Sequence, residues 1–319
     1  MITKPGIYNM PASDYHADRL CPAPSLSNSV AKVLIRQSPL HAWTLHPKFG
    51  GGEIDPSRVM DIGSAMHAMM LGYRDKVVPI SAVYGPKTKR KDLIGLPVTS
   101  YASDAAQEER DMIRDVGDIP LLFHEWEALQ RAELTAMQQI GAADDGPGFT
   151  APGTSEAVIL ANDNGLWLRC MVDRLPHDRK LPPYDLKATK LSAAPGGWER
   201  RLQTEYAFQD AFYRRVIRLA LGYEPEPMRF IVVEIDPPHG VAIMAASPML
   251  AEIAEREVDR AIRMWRECLT ADRWPCYPPH TAWVDPTSWQ ITQSEEAAAR
   301  DQIARAAAND PRYRAFRSA

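Results

Sequence analysis

Two acidic residues and a lysine lie on two short strand-like runs, where they could carry out metal-assisted chemistry. The run LWLRCMVDRL holds Asp173 near its end, and the run YDLKAT holds Asp185 and Lys187. Side chains alternate between strand faces, so Asp185 and Lys187 point the same way while Leu186 points into the core. If the strands pair, these groups could hold a divalent metal and orient water against a phosphodiester. Scattered charges on an exposed hairpin would give the same letters.

The runs around these residues predict a β region. TSEAVILA reads as a strand, NDNG as a hairpin turn, and LWLRCMVDRL as the partner strand. MRFIVVEI is almost continuously apolar, which predicts a central strand covered on both faces, with VAIMAA beside it. Helical patterns occur before and after this region. The order predicts an α/β or α+β domain.

Apolar residues at helical spacing predict the flanking helices. RVMDIGSAMHAMMLGYRD should be a helix that carries His67, and further helices are expected over 103–116, 124–140, 198–221 and 248–270. The first 24 residues read as an extended strap, and 76–99 as a loop. The Gly- and Pro-rich segment GAADDGPGFTAPG marks an internal boundary. The alanine- and charge-rich tail from Ser294 reads as a helix on the surface or on a neighbouring subunit.

Composition excludes several classes of protein. The chain has 319 residues, of which 45% are hydrophobic and 24% charged, as in ordinary globular proteins. It has neither a run of about 18 apolar residues nor an N-terminal apolar signal segment, so we expect a cytoplasmic protein without a membrane span. The net charge of −4 argues against a protein that coats nucleic acid, but it permits an enzyme with a local basic track.

Further candidate residues are weak signals when taken singly. His67 could be a buried core histidine, Glu156 a charge at a strand edge, and Gln209 with Tyr213 one face of a helix. Basic residues cluster on a loop and on a helix, where they could bind a phosphate backbone or simply face solvent; they are Lys87, Lys89, Arg90, Lys91, Arg214 and Arg218.

In chain order these signals form a pattern. GxxxH at His67, an upstream acid, an acid that ends a strand, D-x-K and Q-x-x-x-Y together resemble the PD-(D/E)XK nuclease superfamily in its RecB-like branch. The particular residues within these motifs look closest to the C-terminal nuclease domain of RecE exonuclease (exonuclease VIII) and its phage relatives. The likeness is carried by four stretches, GIYNMPASDYH, DIGSAMHAMML, LRCMVDRL with YDLKATK, and YAFQDAFYRR, and the later TADRWPCYPP fits as well. Here Val precedes the first acid where the family often has Pro, and the second acid is Asp.

The resemblance implies roles for the candidate residues. Asp173, Asp185, the Leu186 carbonyl and His67 would hold the metal, and Lys187 would position the attacking water or stabilise charge on the phosphate. Gln209 and Tyr213 would order the site, and Glu156 would be the upstream acid. Carboxylate oxygens suit Mg²⁺, with Mn²⁺ as a substitute. The late cysteines, Cys268 and Cys276, lack the close spacing of an iron–sulfur cluster, so none is expected.

The resemblance also implies a fold, a domain plan and an activity. We expect a restriction-endonuclease-like core with a central mixed sheet flanked by helices. A RecE-like domain would span 1–290, with an N-terminal helical part over 1–150, a catalytic sheet core over 151–290, and a helical tail over 291–319.

The expected activity is Mg²⁺-dependent 5′→3′ exonuclease digestion of double-stranded DNA ends, by a homo-oligomeric ring that supplies 3′ tails to a RecT-like annealing protein. The alternatives are a single-strand exonuclease, a structure-specific endonuclease, and a non-catalytic DNA-binding or scaffold module.

Overall fold

A mixed β-sheet lies at the centre of the protein. The computed structural model describes residues 1–51 and 58–309, with the backbone alone for 58–61. The strands are β1 (Gly6–Tyr8), β2 (Ser25–Ser27), β3 (Val77–Pro79), β4 (Ile119–Leu121), β5 (Gly153–Asp163), β6 (Leu166–Pro176), β7 (Tyr184–Thr189), β8 (Arg229–Glu234) and β9 (Val241–Met244). The main sheet has the order β1-β5-β6-β7-β8-β9, and β2 adds to β6. Its β7–β8 and β2–β6 pairs are parallel and the other pairs are antiparallel, which confirms the predicted mixed sheet.

Helices cover both faces of this sheet. The helices in the described part of the chain are α1 (Ala12–His16), α2 (Asn28–Arg36), α3 (Pro39–Leu45), α4 (Arg58–Leu71), α5 (Asp104–Asp115), α6 (Phe123–Ala142), α7 (Pro147–Thr150), α8 (Pro195–Arg201), α9 (Ala207–Leu221), α10 (Pro248–Ala271) and α11 (Ser288–Asn309). Helices α2, α9 and α10 bury apolar residues on one face of the sheet, and α4 and α6 do so on the other. The prediction that MRFIVVEI forms a central strand covered on both faces is confirmed by β8. Phe230 packs in the core on the α9 face of the sheet, and Ile231 packs in the core on the α4 face.

The β5–β6 hairpin follows its sequence signal. Asn164 and Gly165 both have a positive φ, of 51° and 89°, as the Asn-Gly turn requires, and the Gly165 N–H donates to Asn162 Oδ1 at 2.8 Å. The register then places the core-facing residues of the two strands side by side, with Ile159 opposite Cys170. Asp173 lies near the end of the second strand of this long antiparallel pair.

Three local predictions were wrong. The first 24 residues are not one extended strap, since β1 pairs with β5 and a short helix, α1, follows it. Residues 76–99 are not all loop, since β3 pairs in parallel with β4. The single helix predicted over 198–221 is interrupted by a π-helical turn, Leu202–Tyr206. Apolar periodicity did not reveal this interruption, because a five-residue turn is too short to be distinguished from the helical pattern on either side of it.

The chain divides into two compact units. The first, Met1–Cys276, holds both sheets and helices α1 to α10, and the second, Tyr277–Ala319, holds α11. Helix α11 begins at a capping pair, in which the Thr287 N–H donates to Gln290 Oε1 at 2.9 Å. No helix in the described part of the chain is long and apolar enough to cross a membrane.

Candidate active site

The sheet opens into a fork at Asp173. Strand β6 pairs with β2 over Trp167–Arg169, but it meets β7 only at Arg174, opposite Tyr184. Beyond that pair the two strands separate, and Asp173 Oδ2 accepts the Leu186 N–H at 2.7 Å. The carboxylate therefore replaces a hydrogen bond of the backbone ladder, and it ties β6 to β7 where the backbones no longer pair.

Asp185 and Lys187 project from β7 into this fork. The structure confirms that they share a strand face, because Lys187 Nζ forms an ion pair with Asp185 Oδ1. The other oxygen, Asp185 Oδ2, accepts a hydrogen bond from Gln209 Nε2 on α9. Asp185 is 2% exposed, so both contacts hold its carboxylate inside the protein. Leu186 is fully buried between them, as the alternation of side chains predicted.

His67 reaches the same fork from α4 on the other side of the sheet. Its Nε2 lies 2.6 Å from the Leu186 carbonyl oxygen, across 119 residues of sequence, and its Nδ1 lies 3.6 Å from Asp173 Oδ2. A carbonyl oxygen can only accept, so Nε2 carries the hydrogen and donates a hydrogen bond to the Leu186 carbonyl. The imidazole therefore contacts both strands of the fork. Gly63, one turn earlier, faces open space.

Burial and charge change the acid–base properties of these groups. Burial, followed by the neighbouring Asp185 carboxylate, raises the pKa of Asp173 to about 6. Burial lowers the pKa of Lys187, but the carboxylates of Asp185 and Asp173 outweigh it and raise that pKa above its ordinary value. The lysine is thus an ammonium at neutral pH, and it offsets part of the charge of the two acids.

The remaining predicted catalytic residues lie at the edge of this group. Tyr213 is 8% exposed, and burial raises its pKa well above the ordinary value, with the Asp185 and Asp173 charges adding to the effect. Its ring packs in the core, on the face of α9 that also carries Gln209. Glu156 has a φ of +46°, which is uncommon for a residue with a side chain. No hydrogen bond or ion pair of the described residues joins Glu156 to the other site residues.

The predicted DNA-binding residues fall into two groups. Lys87, Lys89, Arg90 and Lys91 are exposed on a loop, where Arg90 pairs with Asp92 at 2.6 Å.

Arg214 is instead held inside the fold. Its guanidinium donates to Glu224 at 2.8 Å and to the Pro225 carbonyl at 3.2 Å, and it lies 4.0 Å from Asp210. Arg218 also pairs with Glu224, at 2.9 Å, but it is more exposed. The surroundings of Arg214 lend no support to its predicted DNA contact, because its donors are already bound within the protein.

One residue beside the site was missed by the sequence reasoning. Lys187 Nζ lies 5.1 Å from the centre of the Tyr206 ring, in the π turn before α9. A signal was present in the sequence, because Tyr206 precedes Gln209 by three residues and so lies about one turn away on the same side of a helix. Predicting its contact with Lys187 would have required the packing of α9 against β7.

The donor set of the fork fits a hard divalent cation. Two carboxylates, one carbonyl oxygen and one imidazole meet there, and the buried Asp185 Oδ1 has an ion-pair partner but no hydrogen bond. Within the described ranges, however, no three His, Cys, Asp or Glu side chains are already arranged as metal ligands. Lys187 and Gln209 hold the oxygens of Asp185 instead. The metal set Asp173, Asp185, Leu186 and His67 therefore stays a prediction.

The forked mixed sheet, with two acids and a lysine at the fork, is the arrangement of a PD-(D/E)XK-type domain. Comparison with known families agrees: residues 44–285 match the family described as "PDDEXK-like domain of unknown function (DUF3799)", and the chain belongs to that family. A crystal structure described as a "putative exonuclease" from Eubacterium rectale is similar, with a TM-score of 0.54 and 11% identity over 90% of this chain and 98% of that one. At this identity the likeness shows the fold alone. Among proteins with curated functions, none matches this sequence.

Proposed function

We propose that this protein is a metal-dependent deoxyribonuclease, a RecE-like exonuclease that digests double-stranded DNA ends in the 5′→3′ direction. The observation that carries the proposal is the convergence of Asp173, Asp185 and Lys187 at the β6–β7 fork. There, Gln209 donates to Asp185 and His67 contacts the Leu186 carbonyl oxygen. Buried acids of this kind, one of them with a raised pKa, lower the stability of the folded protein. Groups with such perturbed pKa values cluster at functional sites.

The residues of the fork have separable roles in this proposal. Asp173, Asp185, the Leu186 carbonyl and His67 would hold Mg²⁺ or Mn²⁺. When bound, the metal lowers the pKa of a coordinated water and offsets charge on the phosphate. Lys187, kept beside Asp185 by their ion pair, would donate hydrogen bonds to a phosphate oxygen. Gln209 fixes the orientation of the Asp185 carboxylate through Oδ2.

The direction of digestion and the biological context extend this proposal. The RecE-like motifs support 5′→3′ polarity, a homo-oligomeric ring, and the supply of 3′ tails to a RecT-like annealing protein in phage-type recombination. The name of the Eubacterium rectale protein is consistent with an exonuclease. The exposed basic loop with Lys87, Lys89, Arg90 and Lys91 would contact the phosphate backbone.

The test compares DNA substrates that differ only in their ends. Linear duplex labelled at the 5′ or the 3′ end, closed circular duplex and single-stranded DNA are incubated with the protein in Mg²⁺ or in EDTA. Rapid Mg²⁺-dependent loss of linear duplex, with release of the 5′ label first, is the expected result. Nicking of the circle would favour an endonuclease, and digestion of single strands alone would favour the single-strand enzyme.

Matched lysine variants connect the activity to the site. Lys187→Met should reduce the rate by about 10²-fold or more, because it removes a cation beside the scissile phosphate. Lys190→Met, three residues further along at an exposed position, should leave the rate unchanged. DNA binding without cleavage under every metal condition would identify a non-catalytic module and overturn the proposal.

A further inference from the structure

Tyr206 contacts the lysine of the candidate site through the face of its ring. Lys187 Nζ lies 5.1 Å from the ring centre, within the range of a cation–π interaction. The ring is itself held by stacking on two others, since its centre lies 5.8 Å from that of Trp198 and 5.3 Å from that of Phe230, at interplanar angles of 14° and 29°. Trp198 and Phe230 are buried, so Tyr206 has little freedom to turn away from the lysine.

The backbone that carries Tyr206 is also anchored. The π turn Leu202–Tyr206 separates α8 from α9. Its Glu205 pairs with Lys32 at 3.2 Å and with Arg36 at 2.7 Å, both on α2. π-Helical turns inside helices occur frequently at functional sites, where they redirect a side chain. Here the turn is fixed to a second helix on one side and to the aromatic stack on the other.

The same chain segment therefore holds both members of the Asp185–Lys187 pair. Gln209 on α9 binds the carboxylate of Asp185, and Tyr206, three residues earlier, faces the ammonium of Lys187. Lys187 has a flexible side chain with several rotamers, and that side chain is 22% exposed. The ion pair alone therefore does not restrict its ammonium to one position. A fixed ring face on one side restricts that movement without adding a competing negative charge.

We propose that Tyr206 is a positioning residue for the reaction: its ring keeps the Lys187 ammonium beside Asp185 and directed toward the substrate phosphate. This inference rests on the proposed nuclease function for its catalytic consequence, while the contact itself can be tested without activity. The ring face, not the phenol hydroxyl, is the group that acts. Phenylalanine at this position should therefore preserve the effect, and a side chain without a ring should lose it.

Three variants test the role in catalysis. Tyr206→Met fills similar space without a π face, and it should lower kcat on linear duplex by about 3- to 30-fold, with KM for DNA changed by less than about 2-fold. Tyr206→Phe should stay within about 2-fold of the wild type. Tyr223→Met is the matched control, because Arg179 Cζ lies 4.9 Å from the centre of the Tyr223 ring in a contact that includes no residue of the fork, and this variant should leave kcat unchanged.

A second readout is independent of activity. In EDTA, the rate at which an amine-acetylating reagent modifies Lys187, read by peptide mass spectrometry, should rise by about 3-fold or more in Tyr206→Met and stay at the wild-type rate in Tyr206→Phe. The exposed Lys190 supplies the reference rate in the same digest. If Tyr206→Met does not fold, Tyr206→Leu is measured in its place, with circular dichroism confirming the helices of each variant.

The outcomes separate the two proposals. Equal labelling of Lys187 in the wild type and in Tyr206→Met overturns the positioning role, whatever the activity. Equal losses in Tyr206→Phe and Tyr206→Met overturn it as well, because they assign the effect to the hydroxyl. Increased labelling in a protein whose wild type never cleaves DNA would support the contact and refute the nuclease function. Increased labelling together with a fall in kcat supports both.

Discussion

Asp173→Asn should stabilise the metal-free protein while it removes the proposed activity. Asp173 is buried beside a second carboxylate, and its pKa of about 6 lies well above the ordinary value of 3.8. Between these two pKa values, the carboxyl of Asp173 is therefore still protonated in the folded protein, whereas it is already ionised in the unfolded chain. Stability from this group is present at low pH and is lost as the pH rises through 4 to 6. Asparagine is neutral at every pH, so it avoids this loss.

The size of the effect follows from the two pKa values. Their difference corresponds to about 3 kcal/mol when the carboxyl is fully ionised, and to about half of that at pH 5, where the folded group is still largely protonated. Asparagine can keep the hydrogen bond from the Leu186 N–H through its own carbonyl oxygen. We therefore expect a gain of about 3 kcal/mol at pH 8 that shrinks to about half of that at pH 5.

Urea unfolding in EDTA at pH 5 and at pH 8, followed by tryptophan fluorescence, measures this gain. Trp265 is fully buried in the core and reports its loss. Asp178→Asn is the control, because Asp178 is exposed in the loop between β6 and β7, and its replacement should change stability by less than about 0.5 kcal/mol at either pH. A gain that is equal at the two pH values, or a loss at pH 8, would refute the reasoning from burial and like charge.

Three further predictions concern metal binding and the residues around the fork. The Mn²⁺ affinity measured by calorimetry should fall by about tenfold per pH unit below pH 6, because Asp173 must lose its proton to bind metal, and a pH-independent affinity would contradict this. Gln209→Leu leaves the buried Asp185 Oδ2 without its donor, so it should cost about 1–3 kcal/mol in thermal unfolding and lower kcat. Arg214→Met should cost about 1–3 kcal/mol by breaking the contacts to Glu224 and to the backbone, with KM for DNA unchanged. An increased KM for DNA in Arg214→Met would instead support the predicted DNA contact of Arg214.

Local rules of the chain predicted part of the site correctly. Asp185 and Lys187 share a strand face because side chains alternate with a period of two. The Asn-Gly turn gave the β5–β6 hairpin, and the continuous apolar run gave β8 as a strand covered on both faces. These features depend on sterics between chain neighbours and on apolar periodicity, both of which can be read from the letters alone.

Other parts of the site required contacts between distant segments. The separation of β6 from β7 after one paired residue could not be predicted, because nothing local to either strand sets where the pairing ends. The fixing of Arg214 by Glu224 depends on how the chain turns back after α9, and apolar spacing did not reveal the π turn at Tyr206 either. For this reason the basic pattern at Arg214 indicated a DNA contact that its surroundings do not support.

The sequence by itself determined the residue types, the strand that carries Asp185 and Lys187, and the family pattern to which they belong. Only the tertiary structure decided that Asp173 and His67 both contact the backbone of Leu186, Asp173 at the N–H from a neighbouring strand and His67 at the carbonyl oxygen from a helix across the sheet. The physical reason is that burial of apolar surface on both faces of the sheet fixes where these elements lie. No rule of local spacing carries that information across 119 residues.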